Sequence, residues 1–127
     1  MHTDDPEKAA MAVMQAHIDA LNAHDQDRLA ATLHFPHHRL SGTTLKTWQS
    51  PASYFADFRS RAGGDWAYSR FADIRVVQSS SDKVHLDTRV DRFNAAHELI
   101  SSFRSLWIIT HENSRWAARF RSSFASA

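Results

Sequence analysis

The sequence predicts an α+β fold, with helices first and then a curved antiparallel sheet that they pack against on one face. Three observations carry this. Apolar residues in the first half recur at helical spacing. After residue 65 the period drops to two, and β-branched and aromatic residues alternate with polar ones. The connections in that second half, "SSSD", "NAAH" and "ENS", are short and polar, as between consecutive hairpins. At 127 residues the chain suits one domain, 1–127, with one core.

The elements follow in order. "DDPEKAAMAVMQAHIDALNAHD" opens with an acidic first turn and Pro6 at the first helical position. Ala10, Met14, His17 and Leu21 then mark one face of an amphipathic helix, with His17 in the middle of an otherwise apolar stripe. A second helix is predicted from Asp25 as cap, with Leu29 and Leu33 at helical spacing. It must stop before Pro36, so His34 is expected in its last turn and His37 and His38 at the start of an extended segment. "SGTTLKTW" reads as a turn and a short strand. "SPASYFADFRSR" reads as a third helix capped by Ser50, with Tyr54, Phe55 and Phe58 on one face, ended by "AGG". Four strands follow: "WAYSRFADIRVVQ", "KVHLDTRVDRF", "ELISSFRSLWIITH" and "RWAARFRSSF". On the second of these, either Val84, Leu86 and Val90 or His85, Asp87, Arg89 and Asp91 could face the core. In "SLWIIT" both sets are apolar, so that strand should be covered on both faces, most simply by a second copy in a homodimer.

Composition narrows the function. A net charge of +1 provides no field for nucleic acid or an anionic membrane. There is no cysteine, which excludes disulfides and thiolate metal sites. No apolar run is long enough to span a bilayer, and the acidic start has no signal-peptide core, so the chain reads as cytoplasmic.

"ALNAHDQDRLAATL", residues 20–33, resembles the "ALNxxDxDxLxxLF" opening of the nuclear transport factor 2-like superfamily, which includes SnoaL-like polyketide cyclases and ketosteroid isomerases. The resemblance implies a cone: three N-terminal helices packed in a strongly bent antiparallel sheet around an apolar pocket. In the isomerases a pocket tyrosine falls at His17 and the base aspartate at Ser41, so neither group is kept. The limonene-epoxide hydrolases of the same superfamily carry Arg-x-Asp, matched by Arg89-Val90-Asp91. Their second aspartate falls at Arg121 or Ser122, where no acid stands. Neither mechanism transfers.

The histidine cluster "HFPHHRL" remains. His34 and His38 are separated by Pro36 and form no helical pair; His37 and His38 would point to opposite sides of a strand. A third ligand would have to be His85 or Asp87, and no known metal spacing is met. No metal and no cofactor are expected. The expected pocket is lined by His17 and His38, with Trp48, Tyr54 and Trp107 as walls and Ser122 added; His17 and His38 are also the acid/base candidates. An apolar or aromatic small molecule suits such walls. Three functions stand: a small-molecule-binding protein, an enzyme (lyase, isomerase or cyclase) using the pocket histidines, and a dimeric association domain without chemistry.

Overall fold

The structure is a computed structural model that describes residues 5–62 and 64–125. The first four residues, and Gly63 of the glycine stop after the third helix, lie outside the described residues. Among the described residues, three helices and six strands follow one another as α1 (Pro6–Asn22), α2 (Gln26–Ala30), β1 (Leu33–Ser41), β2 (Thr44–Trp48), α3 (Pro51–Ala62), β3 (Tyr68–Ser79), β4 (Lys83–Phe93), β5 (Leu99–Glu112) and β6 (Arg115–Ser123). The strands form one curled sheet in the order β2-β1-β6-β5-β4-β3. All neighbours are antiparallel except β1 and β6, which run parallel and make the sheet mixed.

Asp5 caps α1 by accepting from the backbone N–H groups of Glu7 and Lys8, and Asp25 caps α2 through Arg28. The α1 stripe Ala10, Met14, His17 and Leu21 is buried against the concave face of the sheet, as its spacing requires. That face presents Val84, Leu86, Trp107 and Ile109, so the apolar set of β4 points inward. The turn between β5 and β6 puts Asn113 and Ser114 at φ 52° and 64°, the paired left-handed conformation that suits a two-residue hairpin loop.

The second helix is shorter than the sequence predicts. It ends at Ala30, because Thr32 turns back on it: its backbone N–H and its hydroxyl both donate to the Leu29 carbonyl, at 3.0 and 2.7 Å. His34 therefore lies in β1, not in a helical turn. Pro36 sits within β1 and cannot donate to a ladder. The pairing of β1 with β6 shifts there, from Leu33 opposite Ala118 to His38 opposite Phe120. Two arginines of β6 accommodate the irregular stretch. Arg115 donates to the carbonyls of Ala31 and Leu33, and Arg119 to that of Pro36. Arg119 is held by Glu112 through two hydrogen bonds of 3.0 and 2.8 Å, which lower the Glu112 carboxyl to about 2.

Candidate functional site

Polar and aromatic groups meet in the cone interior on side chains from α1, α3 and four strands. The alternation of β1 after Pro36 turns His37, Arg39 and Ser41 inward and leaves His38 and Leu40 on the outer face. The two buried alanines Ala117 and Ala118 precede a stretch of β6 in which Arg121 and Ser123 face inward. From α1 comes His17, from α3 Tyr54, from β2 Trp48 and from β5 Trp107.

These rings touch. The His17 ring lies 5.0 Å from Trp107 and 6.3 Å from Tyr54, both edge-on. His37 lies stacked on Trp48 at 6.2 Å and edge-on to Tyr54 at 5.6 Å. The Arg121 guanidinium stands over the Trp107 ring at 4.8 Å and over Tyr54 at 5.5 Å, cation–π distances.

The hydrogen bonds fix which imidazole nitrogen carries the proton. Thr32 spends its one hydroxyl proton on Leu29, so its oxygen accepts from His17 Nδ1–H at 2.9 Å. His37 donates from Nδ1 to the Ala118 carbonyl at 3.0 Å. In the neutral form of each ring, Nε2 is therefore the lone-pair nitrogen. Burial, reinforced by the Arg121 charge, lowers His17 to about 3 and holds His37 well below the ordinary imidazole range. Both rings are neutral at pH 7. In this cluster, the buried atoms His37 Nε2 and Tyr54 Oη have no hydrogen-bond partner among the described residues.

Beside this cluster lies a cavity lined by His17, Trp107, Arg121, Arg92, Ser69 and Phe58, with further apolar walls. Its volume is about 20 Å³, room for about one water. Arg92 lies across the Phe58 and Phe103 rings at 5.5 and 4.5 Å.

Of the residues expected from sequence, the structure brings together His17, Trp48, Tyr54 and Trp107. It does not bring in His38 or Ser122. His38 is on the outer face, bonded to Thr47 and tilted against Phe120. Ser122 is opposite Leu40 and Leu106, on that same face. Their places are taken by the adjacent residues His37 and Arg121, one position away in each strand, since a shift by one exchanges faces. Among the described residues no group of three or more His, Asp or Glu side chains is placed to hold a metal ion. Nor is any helix among them long and apolar enough to cross a membrane.

No family model and no curated protein sequence matches the chain. Solved structures do match in fold. A nuclear transport factor 2-like protein of unknown function from Shewanella oneidensis aligns with TM-score 0.73 at 11% identity, covering 92% of this chain and 97% of that one. A nuclear transport factor 2-like protein from Cytophaga hutchinsonii gives 0.73 at 16%, covering 97% and 100%. A ketosteroid isomerase-like protein from Erwinia carotovora atroseptica gives 0.67 at 17%, covering 91% and 92%. The fold is the nuclear transport factor 2-like cone that the opening of the chain resembles.

Proposed function

We propose that this protein binds a small aromatic molecule in the cone, in contact with His37, Tyr54 and Arg121. The observation that carries the reading is the pair of buried, unpartnered polar atoms, His37 Nε2 and Tyr54 Oη, set among aromatic rings. Each unpaired polar group costs about 1–3 kcal/mol. A core selected for stability alone would have an apolar side chain at these positions; a ligand hydroxyl or N–H gives His37 a donor, and a ligand oxygen gives Tyr54 an acceptor. At about 20 Å³ the adjoining cavity is smaller than a ring, so binding requires side chains of its lining, such as Arg92 and Phe58, to move outward. Similar folds in proteins of unknown function and in a ketosteroid isomerase-like protein are compatible with binding and name no ligand.

The enzyme reading is less well supported. An acid/base pair needs one protonated and one neutral imidazole near neutral pH. Both inward imidazoles are neutral there, and a ring lowered to about 3 is a weak base. The small volume of the cavity is what an association domain would show, but such a domain has no use for unpartnered polar atoms in its core.

The outer face supports a homodimer as the assembly. Leu106 and Ile108 alternate with inward Trp107 and Ile109, and they sit half-buried on the convex side beside Leu40 and Phe120.

A thermal-shift screen of small aromatic alcohols and acids tests the binding reading. Compounds that bind should raise the melting temperature of the wild type and raise it less in His37→Phe. An equal rise in both proteins would place the ligand outside the cone.

A further inference from the structure

Resting on that binding site, we infer that the ligand is a phenol, whose hydroxyl donates to His37 Nε2 and accepts from Tyr54 Oη. The two orphaned atoms are complementary. The Nδ1–H of His37 is spent on the Ala118 carbonyl at 3.0 Å, so Nε2 of the neutral ring can only accept. Tyr54 Oη carries a proton that goes to no acceptor among the described residues. The two rings meet edge-on at 5.6 Å and both side chains are fully buried, yet no hydrogen bond joins the donor to the acceptor.

A donor and an acceptor that do not meet define what can bridge them. A carbonyl or carboxylate oxygen only accepts; it would serve Tyr54 and set a second lone pair against His37. An aromatic amine gives His37 a proton, but its nitrogen is a poor acceptor for Tyr54. A neutral hydroxyl does both at one atom. A phenolate fails with the other anions, because it has no proton to give. His37 keeps its lone pair free, since burial and the Arg121 charge hold the ring neutral at pH 7. The ligand's ring has its place beside these atoms, in the cavity walled by Phe58, Phe71, Phe103 and Trp107. Trp107 lies 6.4 Å from His37, and His17, also in the cavity wall, lies 6.3 Å from Tyr54. A ring that widens the cavity therefore displaces one layer of side chains to set its hydroxyl between His37 and Tyr54.

The test is a calorimetric titration of the full chain with phenol, with toluene, which has nearly the same shape and no hydroxyl, and with benzoate. Phenol should bind the wild type. In Tyr54→Phe and in His37→Phe its affinity relative to toluene should fall about tenfold, the yield of one buried hydrogen bond. Tyr54→Phe removes only the hydroxyl oxygen, so the proposal stays testable if His37→Phe does not fold. A phenol-to-toluene ratio unchanged in either folded variant would overturn the hydroxyl bridge and leave the cone as a site for aromatics in general. Benzoate binding the wild type more tightly than phenol would also overturn it, in favour of an anion. Binding of none of the three compounds would overturn both this inference and the small-molecule reading beneath it.

Discussion

The hydroxyl of Thr32 accepts the Nδ1 proton of His17 at 2.9 Å while donating its own to Leu29, so one side chain ends α2 and sets the tautomer of the imidazole facing it. The residue that makes the second helix shorter than its apolar spacing suggests is thus also the one that turns the lone pair of His17 away from itself.

Thr32→Val should cost about 1–3 kcal/mol, because it leaves a buried N–H unpaired as well as removing a bond to Leu29. Urea denaturation at constant m-value measures this. The same change made in a His17→Phe background should cost less, by a coupling of roughly 1 kcal/mol. Additive costs would mean the two side chains do not interact.

Stability should fall with acid from an unusually high pH. His17 is lowered from 6.5 to about 3 and His37 is also well below 6.5, so the unfolded chain takes up protons that the folded chain refuses. The contribution of the neutral rings is fully present above about pH 6.5 and is lost progressively as pH drops towards the folded values. Each ring adds a slope of up to about 1.4 kcal/mol per pH unit in that window. Urea midpoints at pH 7.5, 6 and 5 should decline in the wild type and decline less steeply in His37→Phe. A flat profile from 7.5 to 5 would show that the rings are solvated.

Tyr54→Phe should separate stability from binding. Removing a buried hydroxyl with no partner should leave the apo protein as stable as before, or more stable by up to about 1 kcal/mol, while weakening any ligand of the cone. A loss of stability above about 1 kcal/mol in the apo form would mean the hydroxyl is satisfied in the folded protein.

How much of this was legible in the sequence depends on where the local period stays regular. The helical face of α1 never breaks, so His17 could be assigned to the interior from spacing alone. The strand phases on either side of the site are not regular. Around Pro36 the ladder with β6 shifts, and in β6 both Ala117 and Ala118 are buried, so counting alternate residues loses its phase. The hydrophobic signal then pointed the wrong way. In "RWAARFRSSF" the aromatics Trp116 and Phe120 suggest an inward even set, whereas the fully inward residues beyond the alanines are Arg121 and Ser123. Charged residues placed inside a core break the pattern rule that sequence reading relies on, and such breaks collect at functional sites. The one signal available was the adjacency of His37 to His38 and of Arg121 to Ser122: each expected residue has the structural one as its neighbour.

A homodimer through the convex face should sediment at about twice the 14.5 kDa chain mass at micromolar concentration. Leu106→Glu, on the outer face of β5, should shift it to the single-chain mass without unfolding it. A single-chain species in the wild type would reject the dimer and leave Leu106 and Ile108 as ordinary half-buried surface residues.

The central claim, that the cone binds a small aromatic molecule at its polar centre, is tested most directly by a crystallographic soak with a panel of aromatic alcohols, amides and acids. At least one should appear inside the cone, with a donor on His37 Nε2 or an acceptor at Tyr54 Oη, and with Arg92 or Phe58 displaced outward. Crystals in which every fragment sits on the outer surface, and His37 Nε2 and Tyr54 Oη remain without a partner, would contradict the claim.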